Sequence, residues 1–574
     1  MSQSLVMSAT AVSATASAER DLDEALAVLN ERATEFARIP PRAKAALLRE
    51  CIPRLLDAAP AWVAAGCKAK GIGHRESGEE WLAGPIPTIR VARLLAGTLD
   101  CIGKTGKPRL GLGTKTDDHD RLMVQAFPTS SMDKVLFGGF TGHVMMEAGI
   151  DRETARRRQA TFYRDRKPDG GVSLILGAGN VSSIPPLDVF TKMFTEGFVC
   201  ILKMNPVNEW VGQYLERALT PLIARGYLRI VYGGADEGKY LVNHPAVDDI
   251  HITGSDRTHE MIVWGPPGAE RDRRMAANEP LLDKPITSEL GNVSPVVIVP
   301  YTYSDDELWF QARNVVSMVV NNGSFNCNAA KLLVTSKHWA QRDKFMSLVA
   351  KGLAEAPLRN AYYPGAFDRY ERLTSGRERV ERFGHERPGT LQWAFIRDVD
   401  SSDADDPIFR VEPFCGILSE TTIGSADPVE FLNTITEFLN ERVWGTLNAA
   451  IIVHPKLESD STVGASLQRA IRDLRYGTVA INHWPALCYG LGSMPWGGHA
   501  SATLKDIQSG LGWVHNTFML EGIDKSVVRG PLRVRPHPVW FYDHRKAHEV
   551  GPRLAALEAS PSWRKVPGVV IKAL

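Results

Sequence analysis

Apolar residues recur at helical spacing from Arg20 to about Leu56: Leu22, Ala25, Leu26 and Leu29, then Ala46, Leu47, Cys51 and Leu55, with a break at Ile39-Pro40-Pro41. That period predicts two amphipathic helices, separated where proline cannot donate a hydrogen bond. Between Gly171 and Ser255 the pattern changes to short apolar runs alternating with helical stretches: Val172–Leu176, Val199–Leu202, Leu228–Val231 and Asp249–Thr253. Such alternation predicts βαβ units, hence a parallel sheet with helices on both faces. A second series follows: Pro295–Val299, a helical stretch ending near Val320, Ala330–Val334, Asn448–Val453 and Thr478–Ile481. It predicts a second α/β domain. Gly103–Asp120, rich in Gly, Lys and Asp, is read as a surface excursion, and Gly265–Gly268 and the acidic Asp398–Asp406 as insertions.

Composition narrows the classes of function. A chain of 574 residues exceeds the size of one core, and 44% hydrophobic with 23% charged residues is globular usage. Lys+Arg number 67 against 66 for Asp+Glu, so no net field is available to hold nucleic acid or an anionic membrane surface. The seven cysteines are odd in number and widely spread, which fits a reducing compartment; a cytoplasmic location is expected. Met1–Ala18 is Ser/Ala/Thr-rich and lacks the basic and apolar regions of a secretory signal, so a disordered tail is expected over 1–20. No apolar run is long enough to cross a bilayer, and no metal site is expected.

Of the cysteines, Cys327 stands apart. It lies in a polar, Gly-containing turn, Asn322-Gly-Ser-Phe-Asn-Cys-Asn-Ala-Ala330, just before a strand-like run, whereas Cys200 sits inside the apolar Phe198–Leu202. A buried inert cysteine belongs in the second setting and a nucleophile in the first. The bland alternative is a loop cysteine without function.

Ser288-Glu-Leu-Gly-Asn-Val-Ser-Pro295 followed by the Cys327 turn resembles the paired motif of the aldehyde dehydrogenase superfamily. Further similarities fall in the same order. Gly177-Ala-Gly-Asn180 resembles the family's Pro-Trp-Asn segment, and Val199-Cys-Ile-Leu-Lys203 its strand-end lysine. His251-Ile-Thr-Gly254-Ser255 resembles its Phe-Thr-Gly-Ser turn, and Glu412-Pro-Phe414 its Glu-x-Phe pair. Gly477-Thr-Val-Ala-Ile-Asn482 and Met494-Pro-Trp-Gly-Gly498 resemble its Gly-Thr-Val-x-x-Asn strand and Pro-Phe-Gly-Gly turn.

The resemblance implies an aldehyde dehydrogenase-like α/β fold, with a Rossmann-type parallel-sheet cofactor domain, a second α/β catalytic domain and bridging oligomerisation strands. The implied boundaries are 21–288 for the cofactor domain (150–170 an oligomerisation arm), 289–515 for the catalytic domain and 516–574 for a carboxy-terminal oligomerisation or extension segment. It implies Cys327 as nucleophile, Glu289 as the base that activates water, and Asn180 with the Cys327 backbone N–H as oxyanion donors. The cofactor, NAD or NADP, would meet Lys203 at its adenosine ribose, Gly254 and Ser255 at the pyrophosphate, and Glu412 and Phe414 at the nicotinamide ribose and ring. The implied partners are an aldehyde substrate and a second copy of the chain, in a homodimer or homotetramer.

Three departures modify these expectations. Gly323 to Cys327 is one step longer than the family's turn, and the second motif glycine is Asn292. Pro206 stands where NAD-preferring members often carry a Glu, so a 2′-phosphate is not repelled and NADP becomes usable. Trp484, Leu487, Tyr489 and Leu491 hint at an apolar or aromatic aldehyde, although such residues also serve as packing. Two other readings stand beside hydrolytic oxidation: an acylating, coenzyme A-dependent enzyme, in which Glu289 would not be needed as a base for water, and a non-catalytic protein on the same fold.

Overall fold

In the computed structural model, residues 16–117, 119–165 and 167–574 are described; most of the expected 1–20 tail lies outside them. The two predicted helices are present, Glu19–Arg38 and Pro41–Lys70, with Pro41 in a first turn, where no intrahelical donor is needed. Leu22, Leu26, Leu29 and Phe36 are buried along one face of the first helix, which packs on the sheet described next.

Sixteen strands form two sheets among the described residues. In chain order these are β1 (Gly113–Thr116), β2 (Leu122–Phe127), β3 (Thr141–Met146), β4 (Val172–Leu176), β5 (Val199–Lys203), β6 (Leu228–Val231), β7 (Asp249–Thr253) and β8 (Ile286–Glu289). They continue with β9 (Pro295–Ile298), β10 (Leu332–Ser336), β11 (Val380–Phe383), β12 (Trp393–Val399), β13 (Ile417–Ile423), β14 (Asn448–Ile452), β15 (Thr478–Ile481) and β16 (Ile523–Arg529). The smaller sheet, β6-β5-β4-β7-β8, is wholly parallel. Its strand order reverses between β4 and β7, and in open α/β sheets ligands bind outside the carboxyl ends of the strands at such a point. The larger sheet, β1-β2-β3-β16-β15-β14-β9-β10-β13-β12-β11, is parallel from β16 to β12 and antiparallel toward both edges.

Two features differ from the sequence reading. The 150–170 stretch holds a short helix, Arg152–Arg158, capped by Asp151, and the 3-10 turn Thr161–Arg164, and strands β1–β3 lie before it. Those strands and β16 are paired inside this chain, β16 lying between β3 and β15. The surface excursion 103–120 contains edge strand β1.

The carboxy-terminal segment, which the motifs do not cover, fastens the two sheets' layers together. Leu532, Trp540 and Tyr542 pack with the core of the larger sheet, and the helix Ala547–Ala559 packs on helices 41–70, 78–83 and 85–105 beside the smaller one. Buried Arg90 donates to Glu558 at 2.6 Å, to Asp133 at 2.8 Å and to the Leu491 carbonyl at 2.6 Å. Such a cation is tolerated only because each of its donors meets an acceptor.

Lys44 is the opposite case, a buried ammonium held mainly by rings. Its Nζ lies 4.6 Å from the ring centroids of both Phe36 and Phe162 and 5.3 Å from that of Tyr163. Burial pulls it from the ordinary 10.5 down to about 7. Because the folded state binds this proton more weakly than the unfolded chain, the cost is present at pH 7 and is relieved as pH rises toward 10.5. Cation–π attraction, roughly 0.5–2 kcal/mol per ring, offsets only part of it. Lys44→Met should therefore stabilise the protein at pH 7 by on the order of 1–3 kcal/mol and remove one component of the rise in stability toward alkaline pH. Urea unfolding at pH 7 and pH 9 measures both; a variant less stable at pH 7 would mean that the rings outweigh the desolvation.

Candidate active site

A cleft of about 1190 Å³ opens at the carboxyl ends of the smaller sheet and is closed on its far side by segments of the larger one. All eight residues singled out in the sequence line it: Asn180, Lys203, Gly254, Ser255, Glu289, Cys327, Glu412 and Phe414. Their places follow from the strands that carry them. Lys203 and Glu289 are the last residues of β5 and β8, and Asn180 and the Gly254-Ser255 pair lie on the turns leaving β4 and β7. Ser255 caps the helix Asp256–Trp264 by accepting from the Thr258 N–H at 3.2 Å, so that the helix begins at the cleft with its positive dipole end. Pro206 does not line the cleft; Asn205, Asp236 and Lys239 do, near Lys203.

The Cys327 turn leaves the helix Asp305–Val320 through three consecutive left-handed residues, Asn322 (φ 53°), Gly323 (φ 66°) and Ser324 (φ 68°). The strain of two non-glycine residues in that region is held by a dense set of bonds. Asn322 Nδ2 donates to the carbonyls of Asn180 and Phe325, both at 3.1 Å, and Lys331 Nζ donates to the Ser324 carbonyl at 2.9 Å. Asn180 Nδ2 donates to the Phe325 carbonyl at 2.9 Å, which ties the β4 turn to the cysteine turn and leaves its second N–H for another acceptor. The Asn180 carbonyl also accepts from Lys70 Nζ at 3.1 Å, itself paired with buried Glu80 at 2.8 Å.

Asn292, where the family motif has glycine, ties the loop to β14 by donating to the Asn448 carbonyl at 2.8 Å. The glycine that remains leaves room for Glu412: a Cβ on Gly291 would stand 2.3 Å from its carboxylate oxygen and displace that side chain. Glu412 accepts from the Asn292 N–H at 3.3 Å. Phe414, itself left-handed (φ 43°), is fixed by Arg369, whose guanidinium donates to the carbonyls of Pro413 at 2.9 Å and Phe414 at 3.2 Å.

Electrostatics at the base of the cleft are set by burial. Glu289 is 4% exposed and lies beside the Cys327 thiol; burial pushes its carboxyl up to about 8, and the charges of Asp188 and Glu412 act in the same direction. The Cys327 thiol is held well above its ordinary value by burial and by Glu289. Glu412 is raised to about 7 by burial, against the pull of Lys331. The arrangement is thus a neutral thiol next to a carboxyl that titrates near neutrality; the thiol holds its proton the more tightly of the two, so its transfer to Glu289 is uphill in the empty cleft.

Sequence reasoning missed Lys331, Arg369 and His515, whose ring packs on Tyr489. Lys331 left a signal, a lone cation inside the apolar run Ala330–Val334; the others are distant in the chain and left none.

The cleft also fits a dinucleotide. It lies at the switch point of a parallel sheet, and a helix amino terminus faces it for a pyrophosphate. Comparison with known proteins leads the same way. Residues 139–366 match the model of the aldehyde dehydrogenase family. Over 256 residues the chain is 25% identical to the geranial dehydrogenase of Castellaniella defragrans, covering 42% of this chain and 49% of that one. Over 196 residues it is 24% identical to the N-succinylglutamate 5-semialdehyde dehydrogenase of Novosphingobium aromaticivorans, covering 33% and 38%. The chain therefore spans about half or less of the length of these curated relatives. Among solved structures, the Mycobacterium tuberculosis aldehyde dehydrogenase complexed with NAD+ has a TM-score of 0.58 at 18% identity, with 92% of both chains covered. The NADP-dependent glyceraldehyde-3-phosphate dehydrogenase of Bacillus halodurans, complexed with NADP, has a TM-score of 0.59 at 16% identity, with 89% of this chain and 91% of that one covered. Family model and fold agree in what this chain is similar to: residues 139–366 match the aldehyde dehydrogenase family, and the fold is that of the aldehyde dehydrogenase structures.

Proposed function

We propose that this protein oxidises an aldehyde to a carboxylic acid with NAD or NADP, through a thioester on Cys327 that Glu289-activated water hydrolyses. The observation that carries the reading is the contact of Glu289 with the Cys327 thiol at the base of a cleft that Asn180 also lines.

Glu289 takes the thiol proton, and Cys327 Sγ adds to the aldehyde carbon. The oxyanion formed is met by the free N–H of Asn180 and the Cys327 backbone N–H. The cofactor, when bound, supplies the acceptor for the hydride, whose loss leaves the thioester on Cys327. Glu289 then releases its proton through the open cleft, takes one from water, and the hydroxide adds to the thioester carbon; expulsion of Cys327 Sγ frees the acid. Lys203 and the amino terminus of helix 256–264 would hold the cofactor's adenosine ribose and pyrophosphate, and Glu412 and Phe414 the nicotinamide end.

Lys203 and Lys239 line the adenosine end together with Asp236, and Glu237 and Glu209 lie near Lys203; this mixed set of charges neither repels a 2′-phosphate outright nor demands one, so both cofactors should serve. Assayed with a panel of aliphatic and aromatic aldehydes, NADP should give kcat/KM within about tenfold of NAD, a difference of 1.4 kcal/mol or less. A preference for NAD beyond that would assign Asp236 the ribose hydroxyls, and no reduction with any aldehyde would sink the enzymatic reading.

All seven cysteines are free, which supports a reducing, cytoplasmic location. No helix among the described residues is long and apolar enough to cross a membrane. For a homodimer or homotetramer, the edge strands of the larger sheet that a partner could meet are β1 and β11, since β2, β3 and β16 are paired on both sides within the chain.

A further inference from the structure

The turn that in the family reads Pro-Phe-Gly-Gly here carries an indole, Trp496. Its position is set by three chain segments laid side by side. Leu290 N–H donates to the Ser509 carbonyl at 2.9 Å and Ser288 N–H to the Leu511 carbonyl at 2.8 Å, so the 509–514 segment runs against the strand end that bears Glu289. The same segment exchanges two backbone bonds with the turn, Trp496 N–H to Val514 at 2.9 Å and Val514 N–H to Trp496 at 2.8 Å. The layers touch through glycines: a Cβ on Gly510 would stand 2.2 Å from the Ser288 carbonyl, and one on Gly497 2.3 Å from the Gly512 carbonyl.

Trp496 is completely buried by this stack, with the Tyr489 ring edge-on at 6.1 Å and Cys327 packed against the same cluster. Its Nε1–H has no acceptor, and Glu289 Oε1, buried nearby, has no donor. A buried donor and a buried acceptor left open beside each other mark a bond that forms when the acceptor gains charge.

We infer that Trp496 is a positioning residue for Glu289: its indole N–H holds the carboxylate once that group is ionised, and so sets the pH at which the base becomes active. The inference rests on Glu289 being the base proposed above. The other groups facing Glu289 are the Cys327 thiol, Asp188 from helix 184–194, Glu412 and Tyr489. Asp188 and Glu412 disfavour its ionised form, whereas the neutral Cys327 thiol and the Trp496 indole N–H favour it, and of these two only the indole keeps its proton throughout the reaction.

The test uses the whole protein and p-nitrophenyl acetate, which acylates a thiol without any cofactor. Cys327 Sγ displaces p-nitrophenolate in a burst, and hydrolysis of the acetyl thioester, with Glu289 accepting the proton of water, sets the steady rate. Trp496→Phe, and replacement of Trp496 by benzothienylalanine, which keeps the indole's shape without its N–H, should each leave a burst of one equivalent. Both should move the midpoint of the deacylation pH profile up by about one unit, which slows hydrolysis about tenfold below the midpoint. In a Glu289→Gln background neither change should slow deacylation further. An unmoved midpoint in the benzothienylalanine protein overturns the inference, whatever Trp496→Phe does to folding or packing. Failure of the underlying reading looks different: Glu289→Gln by itself would then deacylate at the normal rate.

Discussion

Cys327→Ala, which removes the proposed nucleophile, is expected to leave the fold intact and to abolish turnover with every aldehyde and either cofactor. Cys327 lies in a turn whose neighbours carry the hydrogen bonds, Asn322 to Phe325 and Lys331 to Ser324, so removing one sulfur disturbs none of them. Chemistry, in contrast, loses its first step: without Sγ no tetrahedral adduct forms, and no carbon bears a hydride that can leave. Residual rates should fall below about 10⁻⁴ of the wild type, since the loss of a covalent nucleophile removes the whole pathway rather than one favourable contact. Mass spectrometry after mixing with an aldehyde and cofactor should find no acyl adduct at this position. Adduct formation or normal turnover in the variant would transfer the nucleophile's role to another residue.

Glu289→Gln should separate the two halves of the reaction. The amide keeps the shape of the carboxyl but cannot take a proton, and loss of a general base costs about 10²–10⁴-fold. Because Glu289 lies beside the thiol, both halves should slow, with acylation affected less, since solvent can also deprotonate a thiol. Rapid mixing should show a slowed burst of one reduced cofactor per site, followed by a much slower steady phase. In the wild type the steady rate should rise with pH through about 8, because the carboxyl that burial holds protonated below that value must be ionised to act on water. The rise should be absent in Glu289→Gln. A fully active variant, or a wild type that turns over only with coenzyme A, would replace hydrolysis by the acylating reading.

Much of the fold was legible in the chain because its signals are local. Apolar runs with helical spacers predicted β4 to β7 and the parallel sheet they build, and the Pro40-Pro41 break predicted the boundary between the first two helices. Strands β2 and β3 were not found, since Leu122–Phe127 and Thr141–Met146 are short and β16, which pairs with β3, lies nearly four hundred residues on. The carboxy-terminal segment was equally opaque. Its Trp540 and Glu558 have meaning only against surfaces formed by distant parts of the chain.

For the site, the sequence by itself determined which residue types stand at which strand ends: Asn180 after β4, Lys203 closing β5, Gly254 and Ser255 after β7, Glu289 closing β8, and a cysteine in a polar turn. In a parallel sheet the strand ends share one side, so their order in the chain already gathers them. Only the tertiary structure decided the rest. It set Glu289 against Cys327, joined Asn180 to the Phe325 carbonyl across 145 positions, and filled the place behind Glu289 with Trp496. It also decided the protonation of the two reacting groups. A carboxyl and a thiol have ordinary affinities for protons along an extended chain; packing two sheets around them removes the water that would hold their charges, and that desolvation brings Glu289 to the edge of neutrality beside an un-ionised Cys327.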